Sequence, residues 1–483
     1  MNRTWLPCAV LFGVAALGLP AETQIEHTPY EDAKPILEAM NEILPTELRK
    51  AVPGQQREVW KRWALRRDGE IRDRLEQGDA DSVINLLFFG TSFTTAPRLT
   101  GEQLHAVSTD AGSSDAEATS AWQSLFEKRV QDLVRGMAEP GQNERLRFAR
   151  RTLSRANVDF SARGSEEKAT SYLYENVKRI LREQASFQQT LQAAKSLNSP
   201  IEEFAERSKL YKERGLSLDT SLPPDYALEA ALNEMKRRGL LRPGSIKRVG
   251  IIGPGLDFTD KQEGFDFYPT QTVQPFAVID SLLRLELAKL DLLEVDALDL
   301  SPRVLEHIKQ TRYAAEKGRG YTIQLPRDPA RGWNAGLTEY WKRFGDQIGA
   351  QMAPVAVPGV LKGIALRAVR VRPEIVRRMN AFDVNIVLER ATLPDEAKFD
   401  LLIATNILVY YDTFEQSLAM TNIAAMLKPG GYLLTNNALL ELPFSELHSG
   451  GYKTVVYSER ADDGDHIVWY QRSANRTDSN AKH

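Results

Sequence analysis

The chain has 483 residues, of which 42% are hydrophobic and 26% are charged, and its formal net charge at pH 7 is -3. This composition indicates a globular protein of two or three domains. The near-neutral charge gives no reason to expect nucleic acid or an anionic membrane as a partner. The six histidines are scattered and the single cysteine is Cys8, so the sequence supports neither a metal site nor a disulfide framework.

The first 21 residues have the pattern of a secretory signal peptide. Arg3 provides a positive start, the segment from Trp5 to Leu19 is mostly apolar, and Ala21 is a small residue suited to cleavage. We therefore predict that residues 1–21 are removed and that the protein is exported, with a periplasmic location. A retained N-terminal anchor is the alternative, and a chain that is not processed would stay in the cytoplasm. No transmembrane span is expected in the mature chain, because the apolar part is short.

The segment 22–224 is predicted to be an all-α domain. Apolar residues recur among charges at three- and four-residue spacing, which is typical of helices that bury one face. The predicted helices of this half, together with the one that follows it, lie at about 31–50, 55–77, 118–138, 142–156, 165–197, 200–214 and 225–239. This half contains no recognisable chemical motif. It could bind a partner or dimerise, but its apolar stripes are typical of self-packing.

From residue 225 to 472 strands alternate with helices, which predicts a doubly wound, Rossmann-like parallel sheet. A short apolar strand at 247–252 runs into a turn that contains Gly253 and Gly255. At the tip of a parallel strand, such glycines let a nucleotide-like ligand approach the bare backbone. The alternative is an ordinary glycine turn.

The next predicted strand ends at Asp299, ahead of a helix at Ser301 and Pro302. A carboxylate in this position can accept hydrogen bonds from the hydroxyls of a ribose. The alternative is an acid that only stabilises the start of a helix through the helix dipole. The order of the two motifs along the chain favours the ribose role.

The rest of this half completes the predicted sheet. Residues 318–358 look like an insertion, and a third strand at 382–387 would end near Asn385 and Ile386. The strand at 401–404 is followed by Asn406, and Asp412 with Glu415 has the spacing of a helix capping box. A further strand at 432–436 precedes an antiparallel hairpin, predicted at 452–459 and 466–472. The tail 473–483 is polar, and we predict that it is disordered.

The order of these motifs resembles that of the class I S-adenosylmethionine-dependent methyltransferases. The resemblance covers about 225–472 and none of the helical half. Within it, the segments 399–411 and 427–434 are most similar to the chemotaxis-receptor glutamate methyltransferases. The resemblance implies S-adenosyl-L-methionine as the cofactor and a methyl acceptor that is either a small molecule or a protein side chain.

The resemblance also implies roles for particular residues. Gly253 and Gly255 would lie under the methionine moiety and Asp299 would hold the ribose. Asn385, Ile386 and Asn406 would face the adenosine and the methionine. The family usually has an acid two residues before the first motif glycine, where this chain has Ile251. The usual third glycine is replaced by Asp257, which could supply part of the lost negative charge at the cofactor site.

Candidate residues for contact with the acceptor are Tyr410, Tyr411 and Asp412, which are expected near the mouth of the pocket. The segment that begins at Asn406 is not the Asn-Pro-Pro-Tyr arrangement of amide and adenine N-methyltransferases, so the sequence leaves the acceptor open. Methyl transfer needs alignment and exclusion of water, and it needs a general base only when the nucleophile is protonated.

Two other functions are alternatives to methyl transfer. A nicotinamide oxidoreductase would need a third glycine at position 258, where this chain has Phe258. An exported, non-catalytic module that keeps the methyltransferase fold is favoured by Ile251, by Asp257 and by the export signal. A signal peptide and S-adenosylmethionine fit poorly together, because we do not expect this cofactor to be plentiful outside the cytoplasm.

Overall fold

The fold comes from a computed structural model, which describes residues 24–99, 103, 116–195, 214–217, 220–259, 265–436, 438–461 and 463–474. The predicted signal peptide, nearly all of the predicted helix at 200–214 and most of the predicted tail lie outside the described residues. Of the helices described, none is both long enough and apolar enough to cross a membrane.

The described chain contains twelve strands and twelve α-helices, which we number in chain order. The strands are β1 Gln24–His27, β2 Arg248–Ile252, β3 Glu294–Asp299, β4 Tyr321–Arg327, β5 Gly349–Met352, β6 Ala365–Val371, β7 Met379–Asp383, β8 Glu389–Thr392, β9 Phe399–Ala404, β10 Leu427–Thr435, β11 Leu447–Val456 and β12 Gly464–Arg472. The helices are α1 Tyr30–Ala39, α2 Thr46–Arg49, α3 Gln56–Phe89, α4 Ala116–Ala138, α5 Glu144–Arg155, α6 Ser165–Lys195, α7 Leu222–Arg237, α8 Gln274–Arg284, α9 Pro302–Glu316, α10 Ala335–Arg343, α11 Pro373–Val376 and α12 Thr413–Met426.

The central sheet has seven strands in the order β11-β12-β10-β9-β2-β3-β7. The five strands from β10 to β7 are parallel, whereas β12 is antiparallel to β10 and β11 is antiparallel to β12. From β2 the chain builds outward through β3 and β7, and it then returns to place β9 and β10 on the other side of β2. The strand order therefore reverses between β2 and β9, which confirms a mostly parallel, doubly wound sheet with its switch point at β2.

Alternate residues of the buried strands face two different apolar cores, as the period of a strand requires. Ile251 and Leu401 pack with α7, α8, α9 and the small sheet formed by β4, β6 and β5. Ile252 and Leu402 pack on the opposite face with α12 and with α1–α3. Both faces of the sheet are covered, which explains why its strands are continuous apolar runs.

The helical half does not have one core of its own. Ile36, Trp60 and Trp63 belong to the same apolar cluster as Phe399 and Phe414 of the sheet half. A separate cluster joins the end of α3 to α4, α5 and α6. The helical half is also not purely helical, because β1 pairs antiparallel with β8. Residues from both sides of the boundary predicted at residue 224 therefore contribute to one core.

Several predicted elements have different bounds in the structure. The helix predicted at 31–50 is divided into α1 and α2, and the hairpin strand predicted at 452–459 spans Leu447–Val456. The third strand of the sheet was predicted at 382–387 but spans Met379–Asp383, and the backbone turns at Asn385, whose carbonyl accepts from the amide of Leu388 at 2.9 Å. Helix α3 was predicted to end before Gly78 but continues to Phe89. Gly78 is needed inside this helix because a Cβ there would lie 1.9 Å from the carbonyl oxygen of Leu216.

Candidate functional site

A cavity opens at the carboxyl ends of β2, β3, β7 and β9, next to the point where the strand order reverses. Its empty volume, including space open to solvent, is about 930 Å³. The N-terminal turns of α7 and α8 complete its wall, together with Leu75 of α3 and with Leu216 and Ser217. The helical half therefore supplies part of the wall, which the sequence did not indicate.

The glycine turn after β2 lines this cavity with bare backbone. Gly253 and Gly255 both have positive φ, at 64° and 66°. A Cβ at Gly253 would lie 2.2 Å from the Cδ1 of Ile407, and the Gly253 amide donates to the carbonyl of Leu298 at 2.8 Å. Both the backbone conformation and the packing therefore require glycine at position 253.

Asp299 lies at the end of β3, with only 5% of its surface exposed, and lines the cavity. Its Oδ1 accepts from the amide of Ser301, the N-cap residue of α9, at 2.7 Å. Its Oδ2 is buried and makes no hydrogen bond of good geometry with the described residues. Burial raises the pKa of Asp299 to about 7, and the nearby amides of Ser301 and Gly255 oppose that rise. One oxygen thus remains for a hydroxyl donor of a ligand.

Asn406 lines the cavity directly after β9 and adopts a left-handed conformation with φ of 58°. Its amide donates to Oδ1 of Asn436 at 2.9 Å, and Nδ2 of Asn436 donates to Oδ1 of Asn406 at 2.5 Å. A non-glycine residue in this region is strained unless its surroundings hold it there. The structure thus adds Asn436, which follows β10, as the residue that positions Asn406.

Asp225 is a cavity residue that the sequence did not single out. It lies in the first turn of α7 with 3% of its surface exposed. Burial raises its pKa to about 8, and the side-chain amide of Gln274 opposes the rise. Gln274, at the start of α8, donates to the hydroxyl of Thr405 at 2.8 Å. An acid in the first turn of a helix is so common that its sequence position carries no signal for a site.

Three residues predicted for the site have their side chains elsewhere. Asn385 is fully buried, and its Nδ2 donates to Asp68 of α3 at 2.7 Å, while its neighbours Val384 and Ile386 line the cavity. Of the two residues predicted to contact the cofactor here, Ile386 therefore lines the cavity and the Asn385 side chain does not. The turn at the end of β7 points these neighbouring side chains in different directions.

Asp257 and Asp412 also lie away from the cavity. Asp257 accepts from the hydroxyl of Tyr268 and from Nε2 of Gln271, both at 2.9 Å, and lines a separate, smaller cavity. Asp412 is the N-cap of α12, where it forms the predicted capping box with Glu415. Both carboxylates thus have hydrogen-bond partners within the fold. Asp257 does not line the larger cavity, where it was predicted to supply part of the lost negative charge.

The two tyrosines predicted at the mouth of the pocket do line the cavity. The carbonyl of Tyr410 accepts from Nη1 of Arg74 at 3.0 Å, and the same guanidinium lies 5.8 Å from the centre of the Tyr411 ring. Burial raises the pKa of the Tyr411 phenol. Tyr411 is therefore a neutral hydrogen-bonding group at physiological pH.

The charge of the lining restricts the kind of ligand. Of the lining residues that the structure describes, Asp225 and Asp299 are the two with ionisable carboxylates, and none is lysine, arginine or histidine. A ligand with phosphate groups would find no side-chain cation here. A ligand with a positive charge and hydroxyl groups would complement this wall.

In another part of the fold, His27, Asp68 and Glu389 bring potential metal-ligand atoms within 4.8 Å of one another. Arg72 already donates to Asp68 at 3.0 Å and to Glu389 at 3.2 Å. The guanidinium thus compensates both carboxylates, and the cluster is explained as an ion-pair network.

No family model matches the chain, and no curated protein matches it. Solved structures similar to the chain are methyltransferases. The N-methyltransferase NodS from Bradyrhizobium japonicum, in complex with S-adenosyl-L-homocysteine, has 12% identity and a TM-score of 0.23, over 60% of this chain and 98% of that one. The mitomycin 7-O-methyltransferase MmcR has 12% identity and a TM-score of 0.26, over 74% of this chain and 100% of that one.

An O-methyltransferase family protein from Burkholderia thailandensis has 12% identity and a TM-score of 0.25, over 86% of this chain and 98% of that one. Similarities this low carry no argument about a site.

Proposed function

We propose that the protein is an S-adenosylmethionine-dependent methyltransferase. One observation carries the proposal: a cavity at the switch point of a doubly wound sheet is lined by a glycine turn and two buried carboxylates, and by no cationic side chain among its described residues. Acid-lined cavities of this kind fit a ligand with hydroxyl groups and positive charge. The resemblance of the sequence motifs to the class I methyltransferases supports the same proposal.

The residues present fit this cofactor. The buried Oδ2 of Asp299 offers an acceptor to the ribose hydroxyls, and the backbone of the glycine turn lines the cavity. Ile386 provides an apolar contact for the adenine, and Asn406 offers polar atoms toward the methionine end. A nicotinamide dinucleotide fits less well, because its pyrophosphate would meet carboxylates.

The cofactor would supply a methyl group on a positively charged sulfur. The protein would then bind the cofactor, align the acceptor with its methyl group and exclude water. Tyr410 and Tyr411 form one wall and are candidates for contact with the acceptor, which is a small molecule or a protein side chain. Asp412 is not such a candidate, because it caps α12.

The proposal is tested by calorimetric titration of the purified protein with S-adenosylmethionine and S-adenosylhomocysteine. We expect micromolar binding of both, weakened at least about tenfold in Asp299→Asn, because the hydroxyls lose a charged acceptor. Asp291→Asn, an exposed acid in the turn before β3, is the matched control. Failure of the wild-type protein to bind either ligand would refute the proposal.

Export is a separate proposal, which rests on the sequence pattern of residues 1–21. We expect the mature chain to begin after Ala21 and to fractionate outside the cytoplasm. Intact-mass measurement of protein from each fraction checks this, and full-length protein confined to the cytoplasm would contradict it. If export is found together with no cofactor binding, the alternative of a non-catalytic module applies.

A further inference from the structure

We propose that Asp225 binds the ammonium group of the ligand, and that it thereby selects ligands that carry a charged aminoacyl end. The inference rests on the proposed function, since it assigns one end of the same cavity. It concerns a residue from the helix that precedes the sheet, and not one from the glycine turn or the strand ends.

Asp225 lies in the first turn of α7 and lines the cavity. Few backbone amides of this turn can donate to its carboxylate. Pro223 and Pro224 occupy this turn, and prolines have no amide hydrogen to donate. The helix start therefore leaves the carboxylate with less compensation than helix N-termini commonly provide.

One oxygen of Asp225 is left for a ligand. Its Oδ1 is buried and has no hydrogen-bond partner in the described part of the chain. On its other side the carboxylate is approached by the side-chain amide of Gln274, a neutral donor. A buried carboxylate in this state gains most from a cation, because a charged partner offsets the loss of hydration.

The two acids of the cavity lie on opposite sides of the glycine turn. Asp299 is the last residue of β3, whereas Asp225 is linked through Gln274 to Thr405, which follows β9. Strands β3 and β9 flank β2, so their ends are about 10 Å apart. A ligand that crosses the glycine turn thus meets one acid suited to hydroxyls and another suited to a cation.

Strand β2 cannot supply this negative charge itself. Ile251 is fully buried and pairs with Ala297 on one side and with Ile403 on the other. An acid at that position would be buried in the apolar core between the sheet and its helices. The charge therefore comes from α7.

The test compares two ligands that differ by the ammonium group. S-adenosylhomocysteine carries it, and 5′-S-(3-carboxypropyl)-5′-thioadenosine is the same molecule with hydrogen in its place. In Asp225→Asn we expect the affinity for S-adenosylhomocysteine to fall about tenfold or more, as for a charged partner lost from a buried site. The affinity for the deaminated ligand should change less than about twofold. In Asp299→Asn both affinities should fall together.

Each outcome decides between the two proposals. If the wild-type protein binds neither ligand, the proposed function fails and the assignment of Asp225 fails with it. If the wild-type protein binds both, but Asp225→Asn weakens both equally or neither, the assignment alone is overturned. Binding of the deaminated ligand by Asp225→Asn also shows that the variant is folded.

A second measurement needs only the wild-type protein. Titration in buffers of different ionisation enthalpy gives the protons released on binding. At pH 7 we expect S-adenosylhomocysteine to release more protons than the deaminated ligand, since the ammonium draws Asp225 into its ionised form. The other groups around Asp225 are Gln274, Tyr340 and Tyr457, and burial raises the pKa of both phenols well above 7, so that neither releases a proton here. Asp299, at the other end of the cavity, faces the part that the two ligands share. Equal proton release by the two ligands would overturn the assignment.

Discussion

At the scale of single residues, the cavity contains two buried carboxylates whose ionisation lowers the stability of the protein when no ligand is bound. Burial raises the pKa of Asp225 to about 8 and that of Asp299 to about 7, from an ordinary value of 3.8. Between pH 4 and pH 8 the folded chain therefore binds more protons at these groups than the unfolded chain. Their contribution to stability is fully present at low pH and is lost as the pH rises through the folded-state pKa values. Ligand-binding sites commonly lower the stability of the free protein in this way.

Asp225→Asn should therefore stabilise the protein in the absence of ligand, and more so at high pH. The amide cannot ionise, so the variant avoids the cost of a buried charge at pH 8, while at pH 5 both proteins are neutral at this position. We expect a gain on the order of 3–4 kcal/mol at pH 8 relative to pH 5, since each pH unit between the two pKa values contributes about 1.4 kcal/mol. Urea unfolding of both proteins at the two pH values measures it. A difference in unfolding free energy that does not change with pH would contradict the prediction.

Gly253→Ala should abolish ligand binding and destabilise the fold by about 1–2 kcal/mol. The new methyl group would be strained at a φ of 64° and would collide with Ile407. Gly332→Ala is the matched control, since Gly332 has a φ of 63° but open space around it. Calorimetric titration should show lost binding only for Gly253→Ala. Equal affinities of the two variants would show that the turn does not touch the ligand.

At the scale of elements, α3 is the helix that holds the mouth of the cavity. Nε of Arg67 contacts Oε1 of Glu415 at 2.6 Å, and Glu415 belongs to the capping box that starts α12. Two turns further along the same face of α3, Arg74 donates to the carbonyl of Tyr410. The positions of both tyrosines thus depend on a helix that lies more than 300 residues earlier in the chain.

Arg67→Met should destabilise the protein by about 3 kcal/mol, because it leaves the buried carboxylate of Glu415 without its cation. The Glu415 side chain is 2% exposed. Arg66→Met is the neighbouring control: its partner Glu47 is largely exposed, and we expect a cost of about 0.5 kcal/mol or less. Urea unfolding compares the two variants. Similar costs would show that the Arg67 pair is energetically a surface pair.

At the scale of the whole molecule, the shared core joins the two predicted domains. Trp60 and Trp63 of α3 pack with Phe414, and the ring centres of Trp63 and Phe414 are 5.5 Å apart. Separation of α1–α3 from the sheet would expose an apolar face on both. The first helices therefore act as one layer of the α/β fold.

We expect α3 and the sheet to unfold together. Native-state hydrogen exchange in rising urea should give the amides of Trp60–Ile71 and of β9 the same opening free energy, because neither keeps its core without the other. Amides on α5, which belong to the separate cluster, serve as the comparison. Loss of protection in α3 at lower urea than in β9 would mean that the helical half is an independent domain.

Local patterns in the sequence were sufficient to predict the strands β2, β3 and β9, the glycine turn and the capping box at Asp412. Each depends on residues that are neighbours in the chain, such as the apolar run before Gly253 or the three-residue spacing from Asp412 to Glu415. The sequence alone also placed Asp299 and Asn406 at strand ends, and parallel strands bring their carboxyl ends to one edge.

Only the tertiary structure decided which side chains reach the cavity. Asn385 turns to Asp68, 317 residues away, while Asp225 and Gln274 enter from the starts of two helices. Tertiary packing also decided that α1–α3 cover the sheet. The physical reason is that a side chain beyond the end of a strand follows the hydrogen bond or the burial available to it. Those partners come from distant parts of the chain, which local periodicity cannot identify.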